Sequence, residues 1–150
     1  MTFRPSIIPI SNSGAAAPAA KRLDPLSLLV IDDDPVHRMV LGKVGEKAGY
    51  VLTTAGSVED ATQKISQHKF NCISLDLSLG GESGAQVLTS IATHNSNALL
   101  IVISGAAAAI REETLRMARE LQLNVIEAPK PVDLIALRAK LGALSAAAKI

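Results

Sequence analysis

The sequence predicts an α/β protein, a doubly wound five-stranded parallel sheet with helices covering both faces. Two observations predict it. Five short apolar runs alternate with segments of helical length, the pattern of repeated strand–helix units. Hydrophobic residues make up 48% of 150 positions while aromatics make up 2%, so one domain-sized core must be filled by aliphatic side chains and alanine.

Residues 26–31 form a compact apolar run that ends abruptly in Asp32, Asp33 and Asp34. Pro35 suits the first turn of the following helix, where its missing N–H is no loss. Val36, Val40 and Val44 recur at helical spacing and give that helix one apolar stripe, and Gly49 ends it. Residues 50–55 read as a second strand, rich in Val and Thr. Ser57 with Asp60 three positions on resembles a capped helix start, and the helix is expected to reach about residue 68. Residues 71–76 read as the third strand, followed by a loop marked by Gly80, Gly81 and Gly84. A helix is expected over about 85–93, the most uniformly apolar strand over 99–104, and the fourth helix over roughly 111–121. Residues 124–128 form the fifth strand, and Asp133 opens a last helix with Leu134, Leu137, Leu141 and Leu144 on its apolar stripe.

The domain organisation expected is a flexible tail over 1–24, one folded domain over 25–145, and a short C-terminal tail over 146–150. The first segment mixes Pro, Ser, Gly and Ala without periodicity, a composition with little apolar surface to bury. No output domain is expected after the last helix. No run of 18 apolar residues exists to span a membrane, and the short apolar patch at residues 7–10, broken by Pro9, falls short of a secretory signal. A cytoplasmic protein is therefore expected. Cys72 is the only cysteine, so neither an internal disulfide nor a cysteine-based metal cage is available. Three of the fifteen basic residues and none of the fourteen acids fall within residues 1–23, which leaves the folded part slightly acidic. That charge balance argues against nucleic-acid binding.

In such sheets, chemistry gathers beyond the carboxyl ends of the strands. Those ends carry Asp32, Asp33 and Asp34 after the first strand, Asp76 at the third, Ser104 at the fourth and Lys130 after the fifth. Crowded carboxylates repel unless a cation intervenes, and magnesium is a hard cation that prefers oxygen ligands. With a hydroxyl and a flexible lysine added, the set suits phosphoryl transfer, where positioning and charge neutralisation supply most of the catalysis. Each residue alone has an ordinary explanation, as a helix cap, a turn or a surface charge. Their conjunction in chain order does not.

LLVIDDDPVHR resembles the first strand and acidic pair of bacterial two-component response-regulator receiver domains. LDLSLGGESG is similar to their phosphoacceptor segment, LIVISGA to the strand ending in the switch hydroxyl, and EAPKP to the lysine–proline pair. The match extends over about residues 26–144. The resemblance implies the flavodoxin-like (βα)5 fold with strand order 2-1-3-4-5. It implies Asp76 as phosphoacceptor, and Mg2+ held by Asp33 directly, by Asp32 largely through water, by Asp76 and by the Ser78 backbone carbonyl. Ser104 and Lys130 would bind the phosphoryl group, and a cis peptide would precede Pro131. Asp34 is expected to be structural, as a cap. The implied donor is a sensor histidine kinase, and the output is phosphorylation-dependent binding of a downstream target protein or relay to a histidine phosphotransfer protein. A homodimer through the helix-four to helix-five face is a further expectation of the family.

The sequence departs from the family where the aromatic switch residue, three positions before the lysine, is Glu127. Gly80 stands where a proline is common, and Pro129 precedes Lys130. Ser78 and Ala106 occupy positions at which family members tune hydrolysis. The first alternative is a pseudo-receiver, an interaction module that is never phosphorylated. The second is a haloacid-dehalogenase-like phosphohydrolase using the D-x-D of Asp32 and Asp34, although no acidic pair follows Lys130 on a further strand. The three histidines show no metal-pair spacing, His37 included, and the mixed charges of the fourth helix read as a solvated face.

Overall fold

The computed structural model describes residues 25–79, 84–105 and 107–148. The expected leader, Gly80, Gly81 and Ala106 lie outside the described residues. Five strands alternate with five helices: β1 (Ser27–Ile31), α1 (Pro35–Lys47), β2 (Val51–Ala55), α2 (Val58–Gln67), β3 (Cys72–Asp76), α3 (Ala85–His94), β4 (Leu99–Ser104), α4 (Ala108–Glu120), β5 (Asn124–Pro129) and α5 (Leu134–Ala148). All strand pairs are parallel and the order across the sheet is β2-β1-β3-β4-β5. This is the predicted topology. The order reverses between β1 and β3, which opens a crevice at their carboxyl ends.

Strand side chains alternate between two apolar layers. Leu29, Ile31, Ile73, Leu75, Leu100 and Val102 pack with residues of α2, α3 and α4. Leu28, Val30, Cys72, Ile101 and Ile103 pack with residues of α1 and α5. The Tyr50 hydroxyl donates to the Leu141 carbonyl at 2.9 Å and ties the second layer to α5.

Several local signals act as expected. Asp34 caps α1, its carboxylate accepting from the backbone N–H of Val36 at 2.9 Å and His37 at 3.4 Å. Ser57 caps α2 through the Asp60 N–H, and Asp133 accepts from the Ala136 N–H at the start of α5. Gly49 has φ +96°. Its N–H reaches the Glu46 carbonyl while that of Tyr50 reaches Gly45, the paired bonds of a glycine-terminated helix.

Three expectations need correction. The apolar stripe of Val36, Val40 and Val44 is buried only toward its end: Val44 is buried, but Val36 is 64% exposed. Leu41, Gly42 and Gly45 complete the buried face beside Val44. Two glycines let its backbone approach the sheet, and a Cβ on Gly42 would lie 2.6 Å from Leu52 Cδ2. Helix α4 begins at Ala108 rather than near residue 111, because Ala107 at its N-cap supplies no polar signal. On α5, Leu137 and Leu141 are buried, but Leu134 is exposed.

Candidate functional site

The site is built on the carboxyl ends of the two central strands. Asp32 follows β1, held by its N–H to the Ala55 carbonyl at 3.0 Å, and Asp76 closes β3. Strand alternation turns both toward the layer of α1 and α5. There they line a cleft of about 810 Å³ with Asp33, His37, Ser78 and Lys130. Both are buried, Asp32 fully and Asp76 to 2% exposure.

Each carboxylate oxygen of Asp76 has a distinct environment. Oδ1 accepts from the Ser78 backbone N–H at 2.8 Å and from its hydroxyl at 2.6 Å. Oδ2 lies 2.7 Å from Lys130 Nζ, which also donates to Ser78 Oγ at 3.2 Å. Lys130 is placed by its N–H to the Ser104 carbonyl at 3.0 Å and is followed by a cis peptide bond to Pro131, as expected. Asp32 Oδ1 accepts from the Asp34 N–H at 2.9 Å, and Asp32 Oδ2 meets His37 Nδ1. The same His37 nitrogen lies 3.8 Å from Asp76 Oδ2.

The two acids titrate in opposite directions. Burial pushes the Asp32 carboxyl up, and nearby Asp76 adds to this against the lowering effect of the Asp34 N–H and His37. For Asp76 burial also pushes upward, but Lys130 and the two donors of Ser78 outweigh it and hold the carboxyl below its ordinary value. Asp76 is thus an ionised carboxylate backed by a cation, and Asp32 is a buried carboxylate short of positive charge.

A divalent cation answers that deficit. Ligand atoms of Asp32, His37 and Asp76 lie within 4.8 Å of one another. Two buried carboxylates on one cleft wall suit an oxygen-seeking ion. Asp33 lines the cleft on its exposed side but stands outside this tight trio.

The structure therefore brings together Asp32, Asp33, Asp76, Ser78 and Lys130. Ser104 is placed differently. Its neighbour Ile103 pairs with Asp76, so alternation turns Ser104 to the other side of the sheet. It does not line the cleft, and its buried Oγ has no hydrogen-bond partner among the described residues. Glu127 occupies the side of β5 that faces α4, with Arg111 Nε 3.6 Å from its Oε1. Both side chains are exposed, so the pair contributes at most about 1 kcal/mol.

His37, which lacks metal-pair spacing with the other histidines, joins the site through the two acids. It is the third residue of α1, and the cap at Asp34 folds that first turn back over Asp32. The available signal was its distance from the acidic cluster: a residue five positions past Asp32, just inside a capped helix, faces the strand end it follows. Arg38, next in the chain, donates to the Asp32 carbonyl at 2.7 Å and fixes the same loop. For the hydrolase alternative, the D-x-D is divided in use, because the Asp34 carboxylate is engaged as the cap of α1.

Comparison with known proteins agrees with this geometry. The chain is 28% identical to Protein PetR of Rhodobacter capsulatus over 109 residues, which cover 73% of this chain and 44% of PetR. It is 25% identical to the Sensory/regulatory protein RpfC of Xanthomonas campestris, covering 77% of this chain and 17% of RpfC. The chain thus spans less than half the length of either relative. A response regulator protein from Burkholderia pseudomallei, solved with a phosphorylated aspartic acid, a calcium ion and citrate, superposes with a TM-score of 0.67. That pair shares 25% identity and covers 81% of this chain and 69% of the other. The family model for the response regulator receiver domain matches residues 28–141, the whole of the sheet and its helices up to the middle of α5, and the chain belongs to that family.

Proposed function

We propose that the chain accepts a phosphoryl group on Asp76 from a phosphohistidine of a sensor histidine kinase, in the cytoplasm. One observation carries this reading. Asp76 is buried, ionised and backed by Lys130 Nζ at 2.7 Å, at the mouth of a cleft that also holds Asp32. The bond formed joins an Asp76 oxygen to phosphorus, the bond broken is the donor's N–P bond, and the donor imidazole leaves. Lys130, already paired with the carboxylate, then faces a phosphoryl oxygen and offsets its charge. Ser78 orients the carboxylate through Oδ1. Ser104 brings to the end of the neighbouring strand a hydroxyl with no hydrogen-bond partner among the described residues, which would have to turn toward the cleft to donate to the new phosphoryl group.

Asp32, Asp33, Asp76 and the Ser78 backbone carbonyl would hold Mg2+. When bound, the ion neutralises the acidic cluster and the charge developing on the transferred group. The phosphorylated aspartic acid and calcium ion of the Burkholderia structure support both parts of this reading. The output is phosphorylation-dependent binding of a target protein or relay to a histidine phosphotransfer protein, and the helix-four to helix-five face, here α4 to α5, is the proposed dimer surface. Phosphorylation adds charge and acceptor oxygens beside Ser104, which biases the β4 end between two states.

Incubation with acetyl phosphate and Mg2+, followed by intact-mass measurement, tests the proposal. The wild-type chain is expected to gain the mass of one phosphoryl group, and Asp76→Asn none. A chain that gains nothing under any condition is a pseudo-receiver, and a gain that survives Asp76→Asn but not Asp32→Asn moves the chemistry to Asp32.

A further inference from the structure

We propose that His37 is a nitrogen ligand of the cation site, so that this site takes a first-row transition ion through mixed carboxylate and imidazole coordination. The inference rests on the reading that this cleft holds a divalent cation. His37 Nδ1 touches Asp32 Oδ2 and stands 3.8 Å from Asp76 Oδ2, with the three ligand atoms inside 4.8 Å. Ligand bonds of about 2.1 Å place two donors on one ion no more than about 4.2 Å apart. The observed separations therefore need only a small adjustment. The ring lines the cleft with its side chain 25% exposed, so an ion arriving from solvent meets it together with the acids.

The local structure holds this ring in place. Asp34 caps α1 through the N–H groups of Val36 and His37. Arg38 donates to the Asp32 carbonyl from the other side of the loop. The backbone that carries the imidazole is thus held at both ends of the short path joining it to Asp32. A purely oxygen-lined site treats Mg2+ and transition ions according to their general affinities alone. An imidazole adds a donor that suits later first-row ions and contributes little to Mg2+. His37 therefore acts on ion choice rather than on binding as such. When an ion enters, the contact between His37 and Asp32 is exchanged for a bond from each to the metal.

The test uses the full chain and two measurements. Pulsed EPR of the Mn2+-loaded wild type is expected to show imidazole nitrogen coupling, absent in His37→Asn. His68 and His94 remain in that variant, so the loss reports His37 alone. Calorimetric titration is expected to show Co2+ affinity falling about tenfold in His37→Asn, with Mg2+ affinity changed by less than about threefold. Mn2+ and Mg2+ binding to the wild type without nitrogen coupling overturns the proposal while leaving the divalent-cation site standing. Failure of the wild type to bind either ion overturns both.

Discussion

The two rims of the sheet bury polar groups in opposite ways. At the amino rim, Asn95 is buried and fully matched. Its Oδ1 accepts from the Phe70 N–H at 2.7 Å, and its Nδ2 donates to the carbonyls of Ile65 and His68 at 2.8 and 2.9 Å. Nearby, Asn71 Oδ1 accepts from the Ser27 N–H at 2.9 Å. These groups are neutral and their partners are mostly backbone. At the carboxyl rim, Asp32 and Asp76 are buried carboxylates, displaced in opposite directions from their ordinary pKa, and Ser104 Oγ has no hydrogen-bond partner among the described residues. One rim spends its polar groups on holding elements together. The other crowds two buried carboxylates together beside a hydroxyl with no partner among the described residues, and such an arrangement belongs to what the site is built to bind.

The sharpest way to break this contrast is to remove the cation beside the acceptor. Lys130→Met is expected to slow phosphorylation by acetyl phosphate about 100-fold, because the charge offsetting the transferred group is gone. It should also let burial raise the Asp76 carboxyl. A rate unchanged by Lys130→Met would show that the 2.7 Å contact serves folding alone. The next effect belongs to the amino rim. Asn95→Ala strands one buried N–H and two carbonyls, and is expected to cost about 2–3 kcal/mol in urea unfolding. The stabilisation that Mg2+ gives should be the same as in wild type. A change in Mg2+ response would mean that the two rims are coupled.

This contrast also marks what the sequence could reveal. The parallel sheet was legible, because apolar runs and helix-length segments alternate, while its strand order came only with the resemblance to receiver domains. Asp32, Asp33, Asp76, Ser78 and Lys130 were legible because each stands at a strand end, and strand ends converge in this architecture. The face of α1 was not. Its burial depends on Gly42 and Gly45, which carry no apolar side chain to count, so of the valine stripe only Val44 falls on the buried face. Asn95 was hidden because it acts by backbone contacts from residues 25 to 30 positions away. His37 escaped because a search for metal pairs among histidines alone does not see one histidine beside two acids. The absence of Ser104 from the cleft follows from strand alternation at its last residue, a detail of register that chain order does not carry.

Smaller effects sharpen the carboxyl rim itself. Asp32→Asn is expected to raise the stability of the metal-free chain by about 1–2 kcal/mol at neutral pH, since it removes a buried charge. The sign follows from the direction of the shift. The Asp32 carboxyl is raised above 3.8 in the fold, so its penalty is full above that raised value and disappears as pH falls below 3.8. The gain in Asp32→Asn should therefore vanish on acidification. Asp76 works the other way. Its carboxyl is held below 3.8, so its contribution is present above 3.8 and is lost as pH falls through the lowered value. Denaturant unfolding of both chains from pH 7 to pH 3 separates the two, and a gain that grows on acidification would contradict the assignment of Asp32 as the strained acid.

Ser104→Ala should have the smallest effect on the unmodified protein. Its hydroxyl is buried without a partner among the described residues, so replacing it is expected to remove an unmet polar group and stabilise the chain by less than about 1 kcal/mol. The response to the phosphoryl mimic beryllofluoride with Mg2+ should differ from that quiet background. In wild type the mimic is expected to raise the melting temperature, and in Ser104→Ala most of that rise should be lost, because the donor that would turn toward the new acceptor oxygens is missing. The two readouts must part for the hydroxyl to be held in reserve. If Ser104→Ala instead costs 2 kcal/mol or more before any mimic is added, on the scale of a broken buried hydrogen bond, the hydroxyl is already satisfied in solution. The carboxyl rim would then be no less complete than the amino rim.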